Sequence, residues 1–337
     1  MSAKPAILVT GGAGYIGSHC CNALADSGYQ PICFDNLTTG HADFVQWGPL
    51  ISGDVRDSAS IASLIRAHDV KAVMHFAASS AVGESVADPQ KYYVNNLAGT
   101  LGLLRGMRDA NCDTLVFSST GAVYGNAGRD PIPESAAGQT VNPYGRSKFA
   151  IEQILADYRS AYQFKSASLR YFNACGADPA ATTGERRDPE THLIPRALMA
   201  LQGHVSDFAI FGEDYDTPDG TGVRDYIHVN DLAEAHIAAL KLLMAGDAGG
   251  AFNLGTGVGY SVKQILDAIF AETGRAVPVV VKPRRAGDPE ILVADPALAK
   301  ERLGFQATRS SLQNIVRSAW AWHQKAHPMH PPASIPR

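Results

Sequence analysis

Short apolar runs rich in β-branched residues alternate with segments of helical periodicity over the first half of the chain. These runs occupy residues 6–10, 31–34, 72–76, 114–118 and 167–171, and the segment after the first run predicts a helix that ends near Gly28. Continuous apolar strands separated by helices are typical of a parallel sheet with helices on both faces. The pattern therefore predicts the α/β class, with a doubly wound parallel sheet.

The rhythm changes after Asn173. Residues 176–190 are rich in Gly, Pro, Asp and Thr, and beyond them helical patterns dominate, with brief apolar runs near 208–211, 251–254 and 277–281. Irregular segments of this kind often carry binding loops. We predict a first domain over residues 1–175, to which a later strand and helix return, a smaller mixed lobe over residues 176–327, and a proline-rich, frayed tail over residues 328–337.

The charge of the chain argues for local rather than diffuse binding of anions. Charged residues make up 18% of the sequence, and 29 basic and 33 acidic residues leave a net charge of -4 with no block of like charge. A sequence-independent grip on nucleic acid or on an anionic membrane is therefore not expected. Glycine is in excess, with 32 residues where average usage of ~7% predicts about 24.

The cysteines and the apolar runs indicate where such a chain works. Five cysteines without CxxC spacing argue against a disulfide framework or a zinc site, so we predict no metal. No apolar stretch fits a signal peptide or a membrane span. A soluble protein of the reducing cytoplasm is expected.

A glycine-rich turn follows the first apolar run. Residues 10–17 read Thr-Gly-Gly-Ala-Gly-Tyr-Ile-Gly and open a helix. Residues without Cβ permit a tight turn, close approach to a pyrophosphate and close helix packing, and the helix N-terminus offers N–H groups to the phosphates. A purely structural turn is the alternative, but Asp35 at the end of the second strand, 18 residues past Gly17, completes the context for a dinucleotide.

Asp35 also distinguishes between the two nicotinamide cofactors. Its carboxylate accepts hydrogen bonds from ribose hydroxyls and repels a 2′-phosphate, and residues 36–45 contain no Lys or Arg to offset that repulsion. NAD is therefore favoured over NADP. Asp54, after a third short strand, either faces the adenine edge or caps the next helix.

A phenol and an ammonium lie four residues apart at Tyr144 and Lys148, on one face if the segment is helical. The spacing alone fits an ordinary surface pair. A phenol with a pKa of about 10 becomes a useful base when a nearby ammonium and a cationic nicotinamide favour the phenolate. Thr120, just after the apolar run at 114–118, either holds the same proton or bonds its own backbone.

Together these motifs identify the chain as resembling the extended short-chain dehydrogenase/reductases. The resemblance rests on residues 10–17, Asp35-Asn36, Ser-Ser-x-x-x-Val-Tyr-Gly at 118–125, Pro-Tyr-Gly-x-Ser-Lys at 143–148 and Leu-Arg-Tyr-Phe-Asn at 169–173. Within that family, the Val-Gly-Glu-Ser motif at 82–85 and residues 220–229 and 283–288 resemble the UDP-glucose 4-epimerases. Coverage runs from about residue 5 to residue 325.

The resemblance implies a Rossmann-like NAD domain, a UDP-sugar-binding second lobe, and NAD-dependent epimerisation at C4 of a UDP-hexose (UDP-glucose/UDP-galactose). Tyr144 serves as the base, and a transient 4-keto sugar turns before hydride returns to its other face. A UDP-pentose (xylose/arabinose) 4-epimerase and a non-catalytic NAD-binding module remain alternatives. A 4,6-dehydratase is disfavoured because Gly121 and Ala122 stand where it needs an acid and a base. A homodimer built from the helices near 92–108 and 144–161 is also implied.

The resemblance also carries over binding residues one position at a time. Arg224 and Arg285 match the pyrophosphate clamp, Asp288 the uridine ribose contact, Asn173 a substrate amide, and 209–211 the uracil segment. The catalytic residues are Tyr144, Lys148 and Thr120. The cofactor contacts are Gly11, Gly14, Tyr15, Ile16, Gly17, Asp35, Asn36, Asp54, Val55, Phe76, Ala77, Ala78, Ser80, Asn95, Ser118, Tyr144, Lys148 and Phe172. The substrate contacts are Thr120, Tyr144, Asn173, His192, Leu193, Ala209, Ile210, Phe211, Arg224, Arg285, Asp288 and Leu292.

Three positions depart from the family pattern. Ser80 stands where well-known bacterial members place a lysine against the cofactor, and His192 stands where an asparagine often contacts substrate, although with Leu193 it still has backbone groups to offer. Leu292 replaces a tyrosine that narrows the hexose pocket in some members, or a small residue that admits N-acetyl sugars in others. Partial tolerance of UDP-N-acetylhexosamines is therefore expected. His228 is expected to be a satisfied structural histidine rather than a ligand.

Overall fold

The computed structural model describes residues 4–128, 130–285 and 288–327. The predicted tail, 328–337, and positions 286–287 of the motif at 283–288 lie outside the described residues.

The elements of the described chain alternate as the hydrophobic pattern predicts. The strands are β1 (Ala6–Thr10), β2 (Gln30–Asp35), β3 (Leu50–Ser52), β4 (Val70–His75), β5 (Thr114–Ser118), β6 (Lys165–Tyr171), β7 (Asn173–Cys175), β8 (Ala209–Phe211), β9 (Val223–His228), β10 (Gly249–Leu254), β11 (Gly259–Ser261), β12 (Val280–Lys282) and β13 (Ile291–Leu292). The helices are α1 (Tyr15–Asp26), α2 (Ser58–Ala67), α3 (Val82–Ala87), α4 (Pro89–Tyr92), α5 (Gly99–Asp109), α6 (Pro143–Tyr162), α7 (Leu193–Leu201), α8 (Val229–Met244), α9 (Val262–Thr273), α10 (Ala297–Leu303) and α11 (Leu312–Ala326).

The first lobe is built on a seven-stranded parallel sheet with the strand order β10-β6-β5-β4-β1-β2-β3. The predicted α/β class with a doubly wound parallel sheet is confirmed. Strand order reverses between β1 and β4, and ligands of such sheets bind in the crevice at the carboxyl ends of the strands at this point. The late strand β10 pairs with β6, and α8 packs against α1 and the sheet.

The two faces of this sheet are covered by different helices. Ile7 and Val9 of β1 pack with Leu24 of α1 and with residues of α8, while Leu8 of the same strand joins Ile61 and its neighbours on the opposite face. Successive side chains of a strand point to opposite faces, so a strand buried on both sides is apolar throughout. This is why the strands of the sheet read as continuous apolar runs.

The second lobe is built around β9. Strand β11 pairs with it in antiparallel orientation, and β7 and β13 pair with it in parallel, while β12 and β8 form a separate parallel pair. Helices α7, α9 and α11 enclose an apolar core against these strands. The predicted runs near 208–211, 251–254 and 277–281 correspond to β8, β10 and β12. None of the helices in the described part of the chain has the length and apolar character that a bilayer span requires.

Candidate active site

The glycine turn between β1 and α1 is built for close approach of the backbone. Gly11 adopts φ +74°, and a Cβ there would lie 2.6 Å from the backbone N of Ala77, while a Cβ at Gly17 would lie 2.2 Å from the Gly11 oxygen. Gly14 precedes α1 and makes no side-chain cap. The N–H groups that begin α1, at Tyr15 and Ile16, therefore face outward as an anion-binding helix end, as a dinucleotide pyrophosphate requires.

The side chain of Tyr15 has a different task from its backbone. Its phenol donates a 2.6 Å hydrogen bond to the carbonyl oxygen of Gly176, in the irregular segment that follows β7. Tyr15 thus ties the first turn of α1 to the second lobe. Of this residue, the backbone N–H is the group left for a phosphate.

Asp35 is nearly buried at the end of β2, and backbone groups hold its carboxylate. One oxygen accepts the N–H of Ala13 at 3.0 Å and the other accepts the N–H of Leu37 at 2.8 Å. Each carboxylate oxygen has two acceptor sites, so one on each oxygen remains for a ribose hydroxyl. The neighbouring Asn36 uses its side-chain oxygen to accept from Thr38. These residues fit NAD and disfavour a 2′-phosphate.

Asp54 does not cap the next helix. The N-cap of α2 is Asp57, whose carboxylate accepts the Ser60 N–H at 3.0 Å, so the capping interpretation of Asp54 is wrong. Asp54 instead pairs with Arg56 at 2.6 Å, and this arginine lowers the pKa of the carboxyl. The intervening Val55 buries its side chain in the apolar cluster on this face of the sheet.

The loop after β4 forms the next wall of the crevice. The N–H groups of Phe76 and Ala77 both bond to the Thr10 oxygen, at 2.8 and 3.1 Å, so Ala77 and its neighbour Ala78 lie beside the glycine turn. Asn95 donates to the Ser79 hydroxyl at 3.1 Å. Two further residues were not foreseen.

The first of these is Asn96, in the π-helical segment Tyr93–Ala98 that joins α4 and α5. Its buried amide bonds both the N–H and the C=O of Ser79, at 2.8 and 3.0 Å, and it also reaches Ser147 of α6 at 3.2 Å. Asn96 thereby fixes the loop after β4 relative to α6. A π-helical turn inside a helix is a frequent sign of a functional site.

The second is Arg187, which approaches the same loop from the second lobe. Its guanidinium donates to the Ser80 hydroxyl at 3.0 Å and to the Glu185 carboxylate at 3.0 Å. The two residues Ser80 and Arg187 are far apart in sequence, and no local pattern signals the contact.

Tyr144 and Lys148 lie on the first turns of α6. Asn142 caps this helix by accepting the Gly145 N–H at 2.8 Å, and Pro143 occupies its first position. Asn is a preferred N-cap and Pro a preferred first helical residue. The helix therefore starts at a defined residue, and its 3.6-residue repeat places Lys148 one turn beyond Tyr144 on the same face.

The pKa of the Tyr144 phenol depends on its burial and on two other residues. Burial raises its pKa, whereas a hydrogen bond with the Thr120 hydroxyl and the positive charge of Arg187 lower it. The Thr120 oxygen also accepts the N–H of Ala122 at 3.1 Å. The local backbone bond expected of Thr120 is therefore present, and its role in holding the proton of Tyr144 stays a prediction.

Lys148 is almost completely buried and donates to the carbonyl oxygen of Ser118 at 2.8 Å. Burial lowers its pKa to about 7, and the negative charge of Glu152 acts in the opposite direction. At the same edge of the sheet, Phe172 stacks on Tyr124 with ring centroids 6.0 Å apart.

Beneath Lys148 is a buried ion pair that sequence reasoning missed. Glu152 and Arg170 contact through several hydrogen bonds, both side chains are about 95% buried, and Ser119 also donates to the carboxylate. A buried pair of this kind is costly to break because it leaves one charge unpaired. The sequence held an indication of this pair, because Glu152 follows Lys148 by four residues and Arg170 lies in the motif at 169–173.

The proposed phosphate and ribose contacts meet across the second lobe. Arg224 of β9 donates to Asp288 at 2.6 Å, and the guanidinium of Arg285 lies 3.8 Å from the ring centroid of Phe211, the last residue of β8 after Ala209 and Ile210. These residues come from three separate segments. Their convergence on one edge fits a nucleotide that is gripped by its base, ribose and phosphates.

The residues around the expected hexose position occupy the neighbouring strands. Leu292 of β13 lies in register with Arg224 and packs on the cluster around Tyr124. Asn173 donates its amide to the Asp225 oxygen at 2.9 Å. His228 is buried, with its ring nitrogens on Ser318 and on the N–H of Asn230, so the structural role expected of it is confirmed.

His192 occupies the N-cap position of α7, just before Leu193, without a side-chain capping hydrogen bond, and its ring lies 2.9 Å from the Glu185 carboxylate. Mainly this carboxylate raises the pKa of His192 to about 9, so the ring is cationic at neutral pH. The backbone N–H of His192 donates to the Glu190 carboxylate at 2.8 Å, so this N–H is not available to a substrate.

Donor atoms of Glu185, Glu190 and His192 lie within 4.8 Å of one another, as in a metal site. The cationic ring of His192 and the guanidinium of Arg187 already balance the two carboxylates. We interpret the cluster as an ion network.

Comparison with known proteins places these residues in a family. The model of the NAD dependent epimerase/dehydratase family matches residues 7–255. The UDP-glucose 4-epimerase of Rhizobium leguminosarum bv. trifolii is 48% identical over 321 residues, which cover 95% of this chain and 98% of the relative.

Two solved structures share the fold over nearly the whole chain. The UDP-glucose 4-epimerase of Brucella ovis, crystallised with NAD, has a TM-score of 0.92 and 50% identity, and the match covers 94% of this chain and 98% of that one. The UDP-glucose 4-epimerase of Stenotrophomonas maltophila, crystallised with NAD and formylated UDP-arabinopyranose, has a TM-score of 0.92 and 40% identity over 96% and 98% of the two chains.

Proposed function

This chain belongs to the NAD dependent epimerase/dehydratase family, and we propose on that basis that it interconverts UDP-glucose and UDP-galactose by inverting C4 of the hexose. It is an isomerase, and its cofactor is NAD. The observation that carries the proposal is the position of Tyr144. This residue bonds Thr120 at the carboxyl edge of the sheet, at the start of the helix that also carries Lys148.

Tyr144 is the general base of the proposed reaction, and it is used twice. Its phenolate takes the proton of the sugar 4-hydroxyl, and the hydroxyl of Thr120 hydrogen-bonds at the same place. Tyr144 returns the proton after the 4-keto sugar has turned. NAD, when bound, accepts the hydride of C4 and gives it back. One base that is regenerated is sufficient, because the reaction involves no net oxidation.

A dehydratase is disfavoured by packing as well as by residue type. A Cβ at Gly121 would lie 2.9 Å from the ring of Phe172, tighter than carbon contacts allow. An acidic side chain at this position, which the elimination of water would need, therefore requires Phe172 to move. The part of the site beside Thr120 therefore fits one base rather than an acid and a base.

UDP is the part of the substrate that we propose is held firmly. The fork of Arg224 is suited to a pyrophosphate, and Asp288 beside it is suited to ribose hydroxyls. Arg285 approaches from the side of Phe211. Leu292, at the expected hexose position, has no charged or hydrogen-bonding side-chain group of its own, so we propose that the hexose is held less firmly and is able to turn.

Specificity for the sugar is proposed to depend on Leu292. Its side chain is shorter than tyrosine and lacks the hydroxyl, which supports partial tolerance of UDP-N-acetylhexosamines. A UDP-pentose activity is the second candidate, because the relative from Stenotrophomonas maltophila was crystallised with a UDP-arabinopyranose derivative.

We further propose a cytoplasmic homodimer that pairs α5 and α6. Leu101 and Tyr162 expose apolar surface there, and Arg108 lies 3.7 Å over the Tyr162 ring. The five cysteines are free and buried, which suits a reducing compartment.

The test is incubation of the purified protein with UDP-galactose, without added NAD, followed by chromatography of the UDP-sugars. We expect UDP-glucose to appear with no free NADH. Tyr144→Phe is the matched control, since it removes one hydroxyl, and we expect it to lose turnover by at least about 100-fold. Accumulation of NADH, or no UDP-glucose from the wild type with added NAD, would refute the proposal.

A further inference from the structure

One segment of the second lobe touches each of the three loops that form the NAD site. We call residues 176–192 the bridging segment. Its Gly176 oxygen accepts a hydrogen bond from the phenol of Tyr15, which follows β1. Its Arg186 pairs with Asp43, which follows β2, at 2.6 Å, and its Arg187 donates to Ser80, which follows β4, at 3.0 Å. The crevice between β1, β2 and β4 is thus spanned from the opposite lobe.

The bridging segment is itself anchored. Trp322 of α11 donates to the backbone carbonyl oxygen of Glu185 at 2.9 Å and packs edge-on against Phe44, and the guanidinium of Arg186 lies 4.6 Å from the centroid of the Phe44 ring. The Arg186 oxygen also bonds the ring of His41 at 3.0 Å. Arg187 therefore projects from a backbone that is fixed on both sides.

Glu185 sets the direction of the Arg187 side chain. One oxygen of the buried Glu185 carboxylate, Oε1, accepts from Nε of Arg187 at 3.0 Å and also lies 2.9 Å from Nδ1 of His192. Another donor of the guanidinium, Nη1, bonds the Ser80 hydroxyl at 3.0 Å. The charge is close enough to Tyr144 that each affects the pKa of the other.

We propose that Arg187 is a positioning residue that locks the second lobe onto the NAD crevice and supplies, from that lobe, the fixed positive charge that Ser80 does not. The proposal rests on the proposed function, because it assigns Tyr144 as the base. Ser80 has room for the guanidinium because it is small and hydroxylated. A lysine at position 80 beside Arg187 would bring two like charges together.

Two consequences follow from the lock. NAD leaves the crevice slowly, because its exit requires separation of the bridging segment from three loops. The positive charge of Arg187, held in place, lowers the pKa of Tyr144 and so offsets part of the increase that burial causes. The other titratable groups that face Tyr144 are Tyr92, with its ring centroid 6.2 Å away, Tyr171, and Lys148 of the same helix.

The experiment compares the wild type with Arg187→Gln and Arg187→Lys in the full-length protein. Glutamine keeps hydrogen bonds and removes the charge, and Glu185 keeps its pair with His192, so folding is preserved and is checked by thermal unfolding. Two readouts are taken: the NAD that remains after gel filtration, measured by release on denaturation, and the pH profile of kcat/KM for UDP-galactose. Arg317→Gln, at an exposed position of α11, is the control.

We expect Arg187→Gln to retain less than about half of the wild-type NAD, and its acid limb to move to higher pH by about half a unit, because the lost cation no longer favours the phenolate. Arg187→Lys is expected to restore most of both values. The double variant Ser80→Lys, Arg187→Gln, which supplies the charge from the other side of the crevice, is expected to restore the acid limb.

Wild-type retention and an unshifted limb in Arg187→Gln would overturn the proposal. So would losses that neither lysine variant restores, since these would indicate a purely structural role. If the wild type fails to convert UDP-galactose even with NAD added, the proposed function fails, and NAD retention then tests the lock separately.

Discussion

Lys148→Met should make the cofactor-free protein more stable while it abolishes turnover. Lys148 is 2% exposed, and burial lowers the pKa of its ammonium from 10.5 to about 7. In the unfolded chain the same group is solvated and keeps a pKa of about 10.4. Folding at neutral or lower pH therefore places a charged amine in a site that disfavours its charge.

The cost follows from the difference between the two pKa values. The gap between 10.5 and about 7, at about 1.4 kcal/mol per pH unit, corresponds to an order of 5 kcal/mol below pH 7. Methionine has a similar shape and no charge, but it gives up the hydrogen bond to the Ser118 oxygen, worth about 1.5–3 kcal/mol for a charged donor. The net gain expected at pH 6 is about 2–4 kcal/mol.

The pH dependence identifies the cause of this gain. Between about pH 7 and pH 10.5 the unfolded chain binds more protons at Lys148 than the folded protein does, so the wild type gains stability as pH rises. The variant has no such dependence at this position. Its advantage should therefore shrink by about 1.4 kcal/mol per pH unit above pH 7 and nearly vanish at pH 9.

Differential scanning calorimetry of cofactor-free wild type and variant at pH 6 and pH 9 measures this. At about 2 °C per kcal/mol we expect the variant to melt several degrees higher at pH 6. Lys241→Met, at an exposed position of α8, is the matched control and should differ from the wild type by less than about 0.5 kcal/mol. A variant less stable at pH 6, or a gap that is the same at both pH values, would refute the reasoning.

Three further predictions follow from contacts around the site. Glu152→Gln leaves Arg170 buried without its counter-charge, so the variant should lose about 3–5 kcal/mol of stability in thermal unfolding. The variant should also have a lower pKa at Lys148, which moves the alkaline limb of the pH profile to lower pH. An unchanged melting temperature would contradict the role of the ion pair. Leu292→Ala should raise kcat/KM for UDP-N-acetylgalactosamine relative to UDP-galactose, measured by chromatography of the products. If the wild type turns over none of the N-acetyl sugar and the variant changes neither substrate, the assignment of Leu292 fails. Asp35→Ala removes a charged acceptor, so NAD should bind about 10- to 100-fold more weakly to stripped protein in titration calorimetry, with a smaller loss for NADP.

The first-lobe sheet could be predicted from the sequence because its strands are buried on both faces. The predicted runs at 6–10, 114–118 and 167–171 fall on β1, β5 and β6 with few residues of difference. The strands β7, β11 and β13 were not predicted, because β7 and β11 each contain a polar residue instead of the continuous apolar run that indicated β8, and β13 has only two residues. Their existence depends on pairing with β9, which is a property of the folded lobe.

The candidate site divides in the same way. The glycine turn, Asp35, Tyr144 and Lys148 are local patterns whose spacing alone indicates a geometry. The contact between Ser80 and Arg187 depends on how the two lobes meet, so the sequence shows only that Ser80 departs from the family pattern. Asn96 was passed over for its neighbour Asn95, because helical spacing does not reveal a π-helical turn.

The charge pairs around the crevice differ in a way that matches what binds beside them. Glu185 is 6% exposed where it holds Arg187, whereas Asp288 is 35% exposed where it meets Arg224. The arginines are exposed in the reverse order, with Arg187 at 33% and Arg224 at 16%, so the two pairs differ in which partner is buried. A buried carboxylate is costly to leave unpaired, whereas a carboxylate that water already reaches is solvated when its arginine turns to a phosphate. The pair of Arg224 and Asp288 thus suits a UDP-sugar that enters and leaves in each cycle, and the pair of Arg187 and Glu185 suits a cofactor that stays.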